Sequence, residues 1–305
     1  MSVPVQVCPG PTFLEGPVWC PGPGPVGGSL VVTDVAAGAL HRVDVDTGAV
    51  TTFADTAGGA NGAAPTADGG FLVTQNGGLD FAAIGLFDDP PETRPTRSGI
   101  QHVTADGVVS YLTTTALAAP NDLVVAPDGT VYFTDPPPYP LPTDAVGRIM
   151  ALDPDGTLRV VADGFSYPNG IGIGADGLLV VVENGLQSGR SDFGLVRLHP
   201  DGARERFVGR TGDGFCCDVD GRIYLAGGVH GVTVLEPDGT VVEVLELPGP
   251  GVTTNCCFGG PDGRTLYATE AMPGGVWAWP DLPTPGAPLN PWPGPVSGPG
   301  GPIPR

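Results

Sequence analysis

Basic residues are few in this sequence. Among its 305 residues, 13 are Lys or Arg and 33 are Asp or Glu, which gives a formal net charge of −20. So acidic a chain is a poor match for nucleic acid and for anionic membrane surfaces, and neither is an expected partner. The acidity is compatible with cation binding, although most of the acids are aspartates of predicted turns.

Segments that would target or span a membrane are missing as well. Residues 1–8 have neither the charged start nor the long apolar stretch of a signal peptide, and no apolar run is long enough to cross a bilayer. The six cysteines show no CxxC spacing and the four histidines form no cluster, so no structural zinc site is predicted. We therefore expect a cytoplasmic protein.

Four of the six cysteines form the adjacent pairs Cys216-Cys217 and Cys256-Cys257. Both pairs fall in predicted strands, where neighbouring side chains point to opposite faces. Each pair should therefore contain one packed thiol. We expect free buried thiols here and not disulfides, which also fits a reducing cytoplasm.

Helix-period segments are scarce too, and a repeated β-hairpin unit takes their place. In one copy, Asn121-Asp122 opens a short apolar run, Asp128-Gly129 follows, and a second β-rich run extends from Val131 to Asp135. Asp-Gly between two apolar runs is a strong hairpin signal. The 50 glycines and 36 prolines accordingly fall at turns between apolar runs and not in a collagen-like period.

The unit occurs six times, and each copy begins with a polar residue. These six opening residues, about 40 to 60 residues apart, are Glu15, Asn61, Asn121, Asn169, Asp213 and Asn255. Such a period with four short strands per unit predicts an all-β fold, a six-bladed β-propeller with four-stranded antiparallel blades around a central channel. Because the first strand of each blade lines the channel, the opening residues should meet at its axis.

The ends of the chain bear on how the propeller closes. The last repeat supplies only three strands, so we expect residues 3–7 to form the outer strand of the last blade and to cover its edge. Residues 1–280 are predicted to be the propeller. Residues 281–305 are predicted to be a Pro/Gly-rich tail, extended or disordered.

One insert interrupts the regular pattern of blade 2. It lies between Gln75 and His102 and contains the apolar residues Phe81 and Phe87. Two interpretations stay open for it, a loop covering blade edges or a flap over the channel mouth.

Four opening residues have the chemistry of a metal site. Glu15, Asn121, Asn169 and Asp213 supply two carboxylates and two amide oxygens. Such hard oxygen ligands suit Ca²⁺, Mg²⁺ or Mn²⁺, and suit Zn²⁺ less well without histidine. A structural ion or a water network in the channel is the alternative.

At this point the chain resembles the gluconolactonase family, which includes regucalcin (the senescence marker protein) and bacterial sugar-lactone hydrolases. The matching segments, in the order of the family, are Glu15-Gly16-Pro17-Val18-Trp19, Pro120-Asn121-Asp122, Tyr132-Phe133-Thr134-Asp135, Pro168-Asn169-Gly170, Asp213-Gly214 and Cys256-Cys257-Phe258-Gly259-Gly260. The resemblance implies a propeller with one axial divalent metal, Ca²⁺ being the first candidate, and hydrolysis of lactones.

The resemblance also implies roles for single residues. Glu15, Asn169 and Asp213 would bind the metal directly, Asn121 would lie at the same centre and contact metal, substrate or an intervening water, and Asp213 would be the general base. The catalytic candidates are therefore Asp213 and Asn121. The candidate substrate contacts at the channel mouth are Asn61, Asn121, Asp122, Glu183, Phe81 and Phe87.

One position departs from the family. Its sugar-lactone members carry Arg two residues before the Asn-Asp pair, where it holds polyol hydroxyls, and this chain has Ala119. A less polar lactone or another cyclic ester is thus as good a candidate as a sugar lactone. The sequence predicts a metal-dependent lactonase with a small-molecule substrate. The alternatives are a related propeller enzyme with other chemistry on a secondary metabolite, or a non-catalytic metal-binding or interaction propeller.

Overall fold

The protein is an all-β propeller. The computed structural model describes residues 3–11, 13–22, 28–85, 87–92, 94–141, 146–184, 193–228 and 231–294. In this part of the chain, six four-stranded antiparallel sheets form the blades around a central channel, which confirms the predicted fold. None of its helices has the length and apolar character needed to span a membrane.

The first three blades follow one another along the chain. A single strand, β1 (Val5–Pro9), comes before them. Blade 1 contains β2 (Leu14–Cys20), β3 (Ser29–Asp34), β4 (Ala39–Val43) and β5 (Val50–Asp55). Blade 2 contains β6 (Ala60–Pro65), β7 (Phe71–Gln75), the one-turn helix α1 (Phe81–Ile84), β8 (Gly99–Val103) and β9 (Val109–Tyr111). Blade 3 contains β10 (Leu123–Val125), β11 (Val131–Asp135), β12 (Gly147–Leu152) and β13 (Leu158–Phe165).

The other three blades complete the ring. Blade 4 contains β14 (Pro168–Ile173), β15 (Leu179–Glu183), β16 (Gly194–Leu198) and β17 (Arg204–Val208). Blade 5 contains β18 (Phe215–Cys217), β19 (Ile223–Leu225), β20 (Gly231–Leu235) and β21 (Val241–Glu246). Blade 6 contains β22 (Val252–Gly259), β23 (Thr265–Met272) and β24 (Gly275–Trp279).

The N-terminal strand closes the ring as predicted. β1 pairs antiparallel with β24, with Val5 opposite Ala278 and Pro9 opposite Gly275, and so becomes the fourth strand of blade 6. The strand begins two residues later than expected. Cys8 in this strand is fully buried, so the closure is packed as well as hydrogen-bonded.

Local sequence explains the hairpins and the core. The glycines of the Asp-Gly turns, among them Gly129 and Gly221, have φ of 87° and 83°, a backbone conformation that other residues adopt at a cost. Strands in the middle of the blades, such as β3 and β7, are buried throughout. The apolar side chains form six clusters between neighbouring blades, so the core is a ring of inter-blade layers.

The described part of the C-terminal segment packs against the propeller, which the sequence did not predict. Leu282 and Trp292 are buried, Thr66 forms a bridge with Trp292, and Asp218 forms one with Gly286. Residues 281–294 therefore lie against the propeller, since their apolar side chains find room between its blades. Residues 295–305 of the predicted tail lie outside the described residues, and the domain division at residue 280 stays a prediction.

Candidate functional site

The opening residues lie where the first strands become irregular. The pairing of the first two strands shifts register between Glu15 and Val18 in blade 1 and between Pro168 and Ile171 in blade 4, and blades 2 and 6 have the same feature. In blades 3 and 5 the strand begins only after Asp122 and Asp213. Such bulges redirect side chains, which here brings polar groups to one end of the channel.

Threonine hydroxyls tie neighbouring blades together at this level. Each of them donates a hydrogen bond to the backbone carbonyl of a residue in or beside the opening position of the next blade. The bonds are Thr33 to Asn61, Thr74 to Asn121, Thr134 to Asn169 (2.6 Å) and Thr254 to Leu14 (2.6 Å). They fix the depth of the opening residues relative to one another.

Three carboxylates come together here. Glu15 and Asp122 are buried, with 3% and 7% of their surface exposed, and Asp213 keeps part of its surface accessible. Burial, followed by the negative charges of Asp213 and Asp122, raises the pKa of Glu15 well above its usual range. Burial raises the pKa of Asp122 to about 6, and burial together with the charge of Asp122 raises that of Asp213 to about 7.

Two amide side chains hold these acids. Asn169 forms a hydrogen bond with Asp213 that opposes the rise in its pKa. The Nδ2 of Asn255 donates to Oδ2 of Asp122 over 3.0 Å, and Asn255 also bonds Glu15. Blades 3 and 6 face each other in the ring, so the bond between Asn255 and Asp122 crosses the channel.

The donor set suits a hard cation. None of the ion pairs among the described residues involves Glu15, Asp122 or Asp213, so their charges have no cationic side-chain partner there. Oxygen ligands of this kind fit Ca²⁺ or Mg²⁺. Among the described residues, however, no three His, Cys, Asp or Glu side chains are grouped as a ready metal site, so the amides would have to complete the ligand set.

The other predicted site residues have varied positions. Asn121 is buried, and its carbonyl accepts the N–H of Gly62 over 2.7 Å. Asn61 is buried, and its Oδ1 has no hydrogen-bond partner among the described residues. Glu183 is buried, and its Oε1 accepts the backbone N–H of Tyr167 over 2.8 Å, next to the strand that carries Asn169. Its role in substrate binding stays a prediction.

The blade-2 insert packs beside the site. Phe81 of α1, which is buried, and Phe87 form an aromatic cluster with Phe13, with ring centroids 5.5 to 6.3 Å apart. Phe13 comes two residues before Glu15, so the insert is anchored next to the first opening residue. The substrate role of Phe81 and Phe87 stays a prediction.

Two further residues at the site were not predicted. Asn255 was recognised as an opening residue but not as a site residue, because its partner lies on the opposite blade. Tyr167 is buried, and burial raises its pKa. The negative charges that Tyr139, Asp213 and Glu15 carry when ionised raise it further. The ring centroid of Tyr167 lies 6.1 Å from that of Tyr139, which belongs to the Pro-rich segment that follows β11. The sequence feature that could have indicated Tyr167 as a site residue is its position two residues before Asn169.

A cavity in the channel borders the hydrogen-bonded pair of Asn255 and Asp122. It has a volume of about 190 Å³. Its wall runs from Asp122 and Asn255 along the first strands, past Cys216 and Cys256, to Leu289 in the C-terminal segment. The residues of the cross-channel bond thus belong both to the acidic site and to the wall of a largely apolar cavity.

This fold and site define a class of protein, a six-bladed propeller with an axial ring of oxygen groups. Residues 13–272 match the family described as SMP-30/Gluconolactonase/LRE-like region, and the chain belongs to this family. The resemblance drawn from the motifs is therefore confirmed.

Individual relatives support this placement. The chain is 30% identical to the pentonolactonase XacC of Haloferax volcanii over 267 residues, which cover 84% of this chain and 81% of that protein. It is similar to the structure of a gluconolactonase from Xanthomonas campestris, with 26% identity, a TM-score of 0.70, and 93% and 89% of the two chains covered. The calcium-binding protein regucalcin of Agrobacterium tumefaciens has the same fold, with 20% identity, a TM-score of 0.71, and 94% and 96% covered.

Proposed function

We propose that this protein is a lactonase that opens a cyclic ester with the help of one divalent metal ion. Its family membership supports the reaction class, as do the names of the Haloferax and Xanthomonas relatives. The observation that carries the proposal is the group of three carboxylates at the channel axis, which has no cationic side-chain partner among the described residues and contains one partly exposed member, Asp213.

The residues that would hold the ion are Glu15, Asn169 and Asp213, with Asn121 at the same centre. Ca²⁺ is our first candidate, because the donors are all oxygens and an Agrobacterium protein of the same fold is described as calcium-binding. Mg²⁺, Mn²⁺ and Zn²⁺ are the alternatives. A bound ion would draw electron density from the ester carbonyl and stabilise the negative charge that develops on its oxygen.

Asp213 is the residue that we assign as general base. It is partly exposed and held by Asn169, so its carboxylate is placed to accept a proton from a water molecule. That water attacks the carbonyl carbon, the bond between this carbon and the ring oxygen breaks, and the ring oxygen takes up a proton to give a hydroxy acid. Asp122 is less suited to this role, because it is buried and bonded to Asn255.

The substrate is a small lactone. The methyl side chain of Ala119 offers no donor for a polyol hydroxyl. Its backbone N–H is not available either, because it donates to Asp135 over 2.9 Å. The aromatic rings of Phe13 and Tyr139 lie on loops near the opening residues. A lactone with few hydroxyl groups therefore fits this chain as well as a sugar lactone does.

A panel of lactones tests the proposal. Pentonolactones, gluconolactone and alkyl-substituted γ-lactones are followed by titrating the acid released at constant pH. We expect hydrolysis that a chelator abolishes and that one divalent ion restores. Tight metal binding without turnover of any lactone would contradict the proposal and favour a non-catalytic propeller.

A further inference from the structure

Two thiols lie in contact across the boundary between blades 5 and 6. The Sγ atoms of Cys216 on β18 and Cys256 on β22 are 3.5 Å apart, and all six cysteines of the chain are free. The two sulfurs would have to approach by about 1.5 Å to reach the bond length of a disulfide. No other pair of cysteine sulfurs in the described residues makes such a contact.

The hydrogen bonds of the two thiols indicate which one donates and which one accepts. The thiol of Cys256 donates to the backbone carbonyl of Tyr224 over 3.0 Å, which leaves its sulfur to accept the thiol proton of Cys216. Both residues also line the 190 Å³ cavity of the channel. That volume exceeds the roughly 30 Å³ that a water molecule occupies in the liquid, so a molecule as small as hydrogen peroxide has room beside the sulfurs.

We propose that Cys216 and Cys256 form a reversible disulfide that joins blades 5 and 6 beneath the acidic site. With hydrogen peroxide as the oxidant, one thiol attacks the O–O bond and becomes a sulfenic acid while one water leaves. The second thiol then displaces the hydroxyl group as a second water and forms the S–S bond. The two sulfurs lose two electrons and two protons in total, and the peroxide is reduced to two waters.

The surroundings of the two thiols should make their oxidation slow, and the disulfide should stabilise the fold. Burial raises the pKa of Cys216, and the adjacent Cys256 adds to the rise, so little reactive thiolate is present at neutral pH. The bridge would link residues 40 apart in sequence on two first strands. Closing a loop of that length restricts the unfolded chain and stabilises the fold.

The bridge would act on the residues of the cross-channel bond. Asn255 precedes Cys256, and its Oδ1 accepts the N–H of Cys256 over 2.9 Å. Gly214 lies two residues before Cys216, and a Cβ at this glycine would come within 2.1 Å of the Asn255 side chain. A bond between the two cysteines therefore fixes the strands that hold Asn255 against Asp122.

Peptide mapping of the full-length protein tests the proposal without relying on its activity. The native protein is incubated with hydrogen peroxide, its remaining thiols are blocked, and it is digested without reduction. We expect a mass loss of about 2 Da, a cross-linked peptide pair containing Cys216 and Cys256, and recovery of both thiols with dithiothreitol. We also expect the melting temperature of the oxidised protein to rise by about 5 °C.

Neighbouring cysteines provide matched controls. Cys216→Ser should abolish the cross-link and the rise in melting temperature, whereas Cys217→Ser and Cys257→Ser, on the same two strands, should keep both. The proposal is overturned if the native wild-type protein loses thiols without forming the Cys216–Cys256 bridge, or if the disulfide found joins a different pair of cysteines. It is also overturned if the melting temperature of Cys216→Ser rises as much on oxidation as that of the wild type. The wild-type result stands even if a variant fails to fold.

Discussion

At the scale of the residue, two aspartates at the channel axis differ in what surrounds them. Asp122 accepts the N–H of Leu123 and the amide of Asn255, both over 3.0 Å, and is almost fully buried. Asp213 is partly exposed and is held by Asn169. Under the proposed function, the buried and hydrogen-bonded Asp122 would hold the architecture of the site and the partly exposed Asp213 would meet the substrate, so environment would give the same functional group two purposes.

The substitution Asp213→Asn distinguishes a role of Asp213 as a metal ligand from its role as a general base. The substitution keeps one oxygen that can bind metal and removes the basicity, so we expect kcat to stay about 10²-fold or more below wild type even at full metal occupancy. Lactone hydrolysis is measured together with metal content. The control is Asp220→Asn, an exposed aspartate of the same blade, which should keep its kcat. Full recovery of kcat at saturating metal would leave Asp213 as a ligand only.

At the scale of the element, glycines let the first strands approach one another closely. A Cβ on Gly62 would come within 2.6 Å of Oδ1 of Asp122, and one on Gly214 within 2.1 Å of Asn255. The opening residues of blades 1, 2, 4 and 5 are each followed by glycine. The bulge and the glycine together allow polar side chains from several blades to share one narrow space.

Gly214→Ala tests this close approach. The added methyl group should displace the Asn255 amide and break its bond to Asp122, which we expect to cost about 1–3 kcal/mol of unfolding free energy. Gly209→Ala is the matched control, because no atom lies within 4 Å of a Cβ at that position in the preceding loop. Chemical denaturation of both variants measures the difference. Equal stabilities would show that the amide can move aside freely.

The aromatic cluster of the blade-2 insert leads to a prediction about substrate binding. Phe81→Ala removes the side chain that anchors α1 to Phe13 and Phe87, so the insert should no longer be held beside Glu15. We expect KM to rise about tenfold, which corresponds to about 1.4 kcal/mol, with metal affinity unchanged. Ile84→Ala, a partly exposed position on the same helix, should leave KM as it is. An unaltered KM in Phe81→Ala would make the insert a cover for blade edges.

Repetition explains which of these features the sequence could predict. The hairpin unit recurs six times at intervals of about 40 to 60 residues, so the number of blades, the closure by the N-terminal strand and the meeting of Glu15, Asn169 and Asp213 all follow from it. The bond between Asn255 and Asp122 does not follow, because it depends on how deep each bulge lies in the channel. The packing of residues 281–294 was also missed, since a Pro-rich segment has no periodicity from which burial of Trp292 could be inferred.

At the scale of the whole molecule, the acidic axis links stability to pH and to cations. The pKa of Asp122 rises on folding from its ordinary value of 3.8 to about 6, and those of Glu15 and Asp213 rise as well. A raised folded-state pKa means that the native state binds protons more tightly than the unfolded chain does. The metal-free protein should therefore be most stable below about pH 4 as far as these groups are concerned, and should lose that stability as pH rises through about 6 to 7.

Thermal unfolding of the metal-free protein at different pH values tests this linkage. The rise for Asp122 corresponds to about 3 kcal/mol in total, of which about half is lost between pH 5 and pH 8. Because the raised pKa values of Glu15 and Asp213 add to this loss, in the presence of a chelator we expect the melting temperature to fall by about 5 °C or more over that range. A saturating divalent ion should reverse the trend, because it binds the charged carboxylates and therefore stabilises the native state more at high pH. Asp122→Asn removes one titrating group and should flatten the metal-free curve. A metal-free melting temperature that is constant or increases over this range would mean that the axial carboxylates are already neutralised by other means.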